Sequence, residues 1–242
     1  MHGSLEFVQT FAAEFLQVWP GDETVDTVIF PPAVYLSAWR AAAPSVQCGL
    51  QDVGISPSGA HTGEIAAEMV ADLGGLWAIV GHSERRIDQG EPNDLVATKA
   101  AAALRGNISP IICVGETLEQ RQAGHEIAVV DEQLEAVLDR LSEEDLMRCC
   151  VAYEPVWAIG TGETASPEQA QDMHAFIRDK IAHVSDACAA QMRLLYGGSV
   201  KPANATDLFS QPDIDGGLVG GAALDANDFV QIIRAMADIA QK

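Results

Sequence analysis

Positive charge is what this sequence has least of. Fourteen lysines and arginines stand against thirty-five aspartates and glutamates, giving a formal net charge of −21, and the only lysines are Lys99, Lys180, Lys201 and Lys242. A surface of that sign repels phosphate backbones and anionic lipid, which argues against nucleic acid and membranes as partners. Long apolar runs are missing too: none approaches the roughly 20 residues that span a bilayer. The opening Met1-His2-Gly3-Ser4 has neither the basic start nor the apolar segment of a secretory signal. Cysteine is sparse and odd in number: Cys48, Cys113, Cys149, Cys150 and Cys188. Their spacing is not that of metal ligands, and most lie within apolar runs, the pattern of reduced, buried thiols in a cytoplasmic protein. Linkers, low-complexity tracts and composition breaks are absent as well, so residues 1–242 are expected to form one domain.

What is present is alternation. Helical patterns are predicted over residues 4–19, 33–43, 64–73, 93–104, 125–141, 166–184, 202–209 and 225–239. Strands are predicted over 24–30, 46–53, 76–80, 109–114, 149–153, 192–196 and 216–219. These strands are apolar on both faces, the signature of a parallel sheet covered by helices in an α/β fold. Open doubly wound sheets and closed barrels both alternate this way. A barrel is favoured because His82, Glu116, Glu154, Ser199, Gly220 and Gly221 all follow strand C-termini, and a barrel gathers those ends around one mouth. The loop over residues 54–63 is long and polar, which suggests that it binds something.

The chain is organised around Tyr153-Glu154-Pro155-Val156-Trp157-Ala158-Ile159-Gly160-Thr161-Gly162. Pro155 pushes Glu154 towards an extended conformation, so the strand direction carries through to the carboxylate. The apolar stretch beyond it reads as a flap that sheds water from what it covers. A helix then starts cleanly, with Ser166 as N-cap, Pro167 at the first helical position and Gln169 completing a capping box. A carboxylate at a strand end under a flap is the layout of a general base; pairing with an arginine is the plainer alternative. Gly160 and Gly162 also hint at a dinucleotide fingerprint, but the third glycine is lacking.

His82 directly follows a strand and precedes Ser83-Glu84-Arg85-Arg86, a helical turn. A helix N-terminus lowers an imidazole pKa, and a neutral imidazole can donate a hydrogen bond to a substrate oxygen. The alternative is a structural histidine. Glu84 and the two arginines read as a structural ion pair. Gly197-Gly198-Ser199 and Gly220-Gly221 are turns that, after the last two strands of a barrel, often cradle phosphate.

Taken together, Gly81-His82-Ser83-Glu84-Arg85-Arg86, the Glu154 stretch, Tyr196-Gly197-Gly198-Ser199-Val200 and Leu218-Val219-Gly220-Gly221-Ala222 resemble triosephosphate isomerase. The resemblance implies a TIM (β/α)8 barrel, a homodimer, no cofactor, and interconversion of dihydroxyacetone phosphate and D-glyceraldehyde 3-phosphate. It implies Glu154 as base, His82 as neutral electrophile, and Gly160, Ser199, Gly220 and Gly221 as phosphate binders. It also implies that the loop over 54–63 interdigitates with a partner subunit. The family opens with a strand ending in Asn-Trp-Lys, and this chain starts after it. Seven strands and eight helices are therefore expected, with the first strand of the barrel missing and activity reduced. Glu163 and Ala223 depart from the family's usual lysine and serine. A catalytically inactive relative, kept for phosphate binding or as a scaffold, is the alternative, and the flap argues against another phosphate-binding barrel enzyme.

Overall fold

The computed structural model of the protein describes residues 1–19, 21, 24–159 and 164–241. Seven parallel strands form one sheet in chain order: β1 Val28–Ile29, β2 Gln47–Leu50, β3 Trp77–Val80, β4 Ser109–Val114, β5 Cys150–Tyr153, β6 Arg193–Tyr196 and β7 Gly216–Gly217. The register is continuous through the centre, where Ile112 lies opposite Val80 and Val151, and Tyr153 lies opposite Tyr196.

The central strands β3 to β6 serve two cores, because successive side chains point to opposite faces. Ile112, Val114, Val151, Tyr153, Leu194 and Tyr196 face outward into the packing with the helices. Ile79, Ile111, Cys113, Cys150 and Ala152 form a second, smaller cluster joined by Phe30, Trp77, Leu195 and Leu218. That inner cluster is the interior of a curved, barrel-like sheet, which agrees with the expected TIM-barrel architecture.

Twelve α-helices occur among the described residues, not the eight expected. The four extra ones, Ser83–Asp88, Leu118–Gln122, Glu143–Leu146 and Asp186–Gln191, are single turns or little more, capped by His82, Thr117, Ser142 and Ser185. They lie in the connections, where short helices satisfy backbone groups without a long apolar stripe. The helix expected over 64–73 narrows to Ala67–Asp72, because Gly54 bridges to Ala66 and its N–H donates to the Ile65 carbonyl at 2.8 Å. Ser166, Pro167 and Gln169 start the helix Pro167–Ala182 with the capping box read from the sequence.

The expected strands over 24–30 and 216–219 shrink to two residues each, and among the described residues each pairs on one side only. Very short edge strands are a common way to blunt an open edge. Between them runs a cavity of about 2020 Å³ that reaches from Asp26 and Arg193 at the strand starts to His82 and Glu154 at the strand ends. Two contacts span it. The Arg193 guanidinium pairs with Asp26 at 2.7 Å across its floor. Outside, the helix Leu5–Val18 packs on the helix Ala226–Ala240 through Phe15 and Phe229, with ring centroids 5.9 Å apart, and Arg234 donates to the Val18 carbonyl at 3.0 Å. The outer helical layer closes while the sheet stays open, so the slot is walled on the outside and faces the barrel interior.

Candidate active site

Glu154 follows β5 directly and is 2 % exposed. Its N–H donates to the Val114 carbonyl at 2.7 Å, so backbone pairing continues to the residue itself. Two glycines make room for it. A Cβ on Gly115 would collide with the Glu154 backbone, and one on Gly197 would lie 2.8 Å from the Glu154 Cγ. The carboxylate accepts from the Ser83 N–H at 2.8 Å through Oε2, and its Oε1 lies 2.9 Å from His82 Nε2. The expected base and the expected electrophile therefore touch.

His82 is half-buried and caps the helix Ser83–Asp88. Its Nδ1 accepts from the Glu84 N–H at 3.3 Å, which assigns the ring proton to Nε2 in the neutral form. That proton then points at Glu154. Burial pulls the imidazole pKa down, but the hydrogen bond to Glu154 and its charge push it up more strongly, so it lies above 6.5. A helix end alone was expected to lower it; the carboxylate 2.9 Å away overrides that effect.

The expected ion pair between Glu84 and the arginines does not form. Glu84 is exposed, and its carboxylate lies 3.8 Å from the His82 ring. Arg85 pairs instead with Asp52 at 2.9 Å and Glu91 at 2.7 Å, and both carboxylates also hold the buried Lys99 ammonium, at 2.7 and 2.6 Å. Lys99 is 4 % and Glu91 6 % exposed. The sequence signal for this cluster was a lone lysine among the alanines of residues 97–103.

Glu116 lies just past the end of β4, and only that strand-end position marks it in the sequence. It is fully buried, and its Oε1 accepts from Trp157 Nε1 at 2.8 Å, Tyr153 Oη at 3.1 Å and Arg121 Nη1 at 3.1 Å. The Arg121 guanidinium also sits 5.1 Å from the centre of the Trp157 ring. This cluster anchors the short 3₁₀ turn Val156–Ala158, the first arm of the expected flap. His174, which the sequence did not flag, lies edge-on to Tyr153 at 5.7 Å, and its Nδ1–H donates to the Ala170 carbonyl at 2.7 Å. Burial keeps its pKa below 6.5.

Ser199, Gly220 and Gly221 line the large cavity, as His82 and Glu154 do. None of their N–H groups donates to a protein acceptor among the described residues. Ser199 leads into the helix Pro202–Phe209, whose N-terminal end adds positive potential there. Gly160 lies outside the described residues. Among the described residues, no group of three His, Cys, Asp or Glu side chains is arranged to hold a metal ion, and no helix is long and apolar enough to cross a membrane.

Comparison with known proteins points the same way as this geometry. The triosephosphate isomerase family model matches residues 1–236. A triosephosphate isomerase of Xanthomonas campestris pv. campestris (strain 8004) is 48 % identical over 239 residues, covering 98 % of this chain and 95 % of the relative. The triosephosphate isomerase of Herminiimonas arsenicoxydans is 48 % identical over 237 residues, covering 97 % and 95 %. That of Stenotrophomonas maltophilia (strain K279a) is 48 % identical over 239 residues, covering 98 % and 95 %. A parallel barrel-like sheet, a strand-end glutamate in contact with a histidine, and likeness over nearly the whole length converge on one conclusion: the chain belongs to the triosephosphate isomerase family.

Proposed function

We propose that the chain interconverts dihydroxyacetone phosphate and D-glyceraldehyde 3-phosphate through an enediolate. The observation that carries this reading is the meeting of Glu154 and His82 at 2.9 Å beside a cavity also lined by three backbone amides that have no protein acceptor among the described residues. Glu154 is the base that takes a proton from the carbon next to the carbonyl. Once substrate separates it from Glu154, whose contact raises its pKa, His82 supplies a neutral Nε2–H to the oxygen on which negative charge develops. A neutral donor suits this role, because it stabilises the oxyanion without holding a charge in the empty site. Ser199, Gly220 and Gly221, with Gly160, hold the phosphate through backbone N–H groups. Substrate must part Glu154 from His82, since its reacting oxygen and carbon take the place of their contact.

Reduced turnover is part of the proposal. Of the cations lining the cavity, Arg85 is engaged with Asp52 and Glu91, and Arg193 with Asp26. Lys201 also lines it, exposed at the rim, and its ammonium makes no ion pair among the described residues. Phosphate binding thus rests on backbone dipoles and one exposed ammonium in a protein of net charge −21. An inactive relative, kept for phosphate binding or as a scaffold, is the second reading; in it the Glu154–His82 contact would persist with ligand bound, whereas in the enzyme substrate parts it. The chain is further proposed to fold as one domain over residues 1–242, to work in the cytoplasm, and to form a homodimer through the exposed loop 54–63, where Ile55 is 45 % exposed.

A coupled assay at high protein concentration separates the readings. Glu154→Gln keeps the shape and removes the basicity, so kcat is expected to fall by about 10²–10⁴ with little change in KM. Equal turnover by parent and variant refutes the assignment of the base. Phosphate binding with no turnover in the parent selects the inactive relative. A monomer by light scattering removes the dimer.

A further inference from the structure

Arg86 has a different environment from its neighbour Arg85. Its side chain turns back from the last turn of the helix Ser83–Asp88. Nε donates to the Gly81 carbonyl at 2.8 Å, Nη1 to the Asn93 side-chain oxygen at 2.7 Å, and Nη2 to the Cys113 carbonyl at 3.1 Å. One planar fork thus ties the exit of β3, the end of β4 and the start of the helix Asn93–Arg105. Lysine could make one of these bonds well, but not three in fixed directions.

All three acceptors are neutral. Among the described residues no carboxylate lies within ion-pair distance of Arg86, although the chain has thirty-five acidic side chains. The negative groups whose fields reach it are the carboxylates of Glu154 and Glu91, while burial keeps the neighbouring Cys113 thiol neutral. Arg86 and Glu154 also line the same second cavity, about 200 Å³ in volume, walled by Ser83, Thr117 and Gln133 among others. A half-buried cation with neutral partners keeps its field available at short range, where few water molecules screen it.

The anchoring is specific to the active-site turn. Gly81 has φ +69°, a left-handed conformation, and a Cβ there would lie 2.6 Å from Val96 and 3.2 Å from the Arg86 guanidinium. The peptide whose carbonyl Arg86 holds is the one that leads directly into His82. The next N–H along, that of Ser83, donates to Glu154.

We infer that Arg86 is a positioning residue for the isomerisation: it fixes the Gly81–His82 turn so that the His82 Nε2–H and the Ser83 N–H both address Glu154, and it supplies the cation that faces the base's carboxylate from within the protein. The inference rests on the reading of Glu154 as base and His82 as electrophile. It assigns Arg86 no contact with substrate.

Two variants of the full chain separate the fork from the charge. Arg86→Lys keeps the charge and loses the fork. Asn93→Asp keeps the fork and gives Nη1 a carboxylate partner, but replaces the exposed Asn93 Nδ2–H bond to Glu132 at 3.3 Å with a second carboxylate there; Asp is favoured at that first helical position, so the fold is expected to survive. The readouts are kcat and KM in the coupled assay, thermal midpoint, and the ¹⁵N imidazole spectrum of His82. Arg86→Lys is expected to lower kcat by about 10–100-fold with KM within about threefold, the size of a misplacement of about 1 Å. Asn93→Asp is expected to lower kcat by about 3–10-fold, as a neutralised nearby charge would, with a thermal midpoint lower by no more than about 4 °C for the lost exposed bond to Glu132. The His82 Nε2–H resonance is expected to move in both. The inference is overturned if both variants keep kcat within about twofold of the parent, or if any loss of kcat only follows loss of folded protein. Where Arg86→Lys does not fold, Asn93→Asp decides alone. If the parent shows no isomerase turnover, the functional reading fails, and the His82 spectrum then decides: a resonance unmoved in both variants overturns the positioning role, and one that moves supports it.

Discussion

Replacing Lys99 by methionine tests the buried ion cluster that backs the His82 turn. The Lys99 ammonium donates to Asp52 at 2.7 and 2.8 Å and to Glu91 at 2.6 Å. Burial would raise the Glu91 pKa, but hydrogen bonds from Lys99 and Arg85 more than offset it, so Glu91 lies below 4.5. Methionine keeps most of the apolar stem and removes the charge, leaving Arg85 alone between two carboxylates. Removing one partner of a buried ion pair costs about 3–5 kcal/mol, mostly as the penalty of stranding the other. For a chain of this size each kcal/mol moves the thermal midpoint by about 2–4 °C, so Lys99→Met should lower it by roughly 6–20 °C by calorimetry or circular dichroism. Adding Glu91→Leu removes the stranded carboxylate and leaves the Arg85–Asp52 pair, so the double variant should be more stable than Lys99→Met alone. A Lys99→Met midpoint within about 2 °C of the parent, or a double variant less stable than the single, refutes the reasoning.

Two further predictions concern the site itself. Because the His82 pKa is raised, the stability from its contact with Glu154 is fully present below pH 6.5 and is lost as pH rises through the folded-state value. The midpoint gap between the parent and Glu154→Gln should therefore be wider at low than at high pH, and by NMR His82 should titrate above 6.5 in the parent and lower in the variant; identical titration midpoints would sink this. Gly197→Ala places a Cβ 2.8 Å from the Glu154 Cγ and 3.2 Å from the Tyr153 carbonyl. One of them must move, so kcat/KM should fall by about 10–100-fold, and activity equal to the parent's would show that the glycine is not needed.

The order of strands, the parallel sheet and the strand-end positions of Glu154 and His82 were legible in the sequence. Apolar runs spaced by capped helices permit few topologies, and Pro155 and the Ser166–Pro167–Gln169 start act over a few residues only. Such local rules survive whatever the rest of the chain does. They also fixed the capping box, which the structure reproduces side chain by side chain.

Tertiary structure decided what depends on neighbours distant in the chain. Strand length was one such matter: residues 24–30 and 216–219 have strand-like sequences, but among the described residues β1 and β7 pair on one side only and extend for two residues each. The partners of the arginines were another. Proximity in sequence favoured Glu84, whereas folding brings Asp52 and Glu91 to Arg85 and neutral acceptors to Arg86. The imidazole's proton affinity was a third, because a local helix end would lower it, and a carboxylate seventy-two residues away in the chain, but 2.9 Å away in space, raises it. Charge interactions fall off with distance in space and not along the chain, so the sequence alone identified the groups and only the fold decided which of them meet.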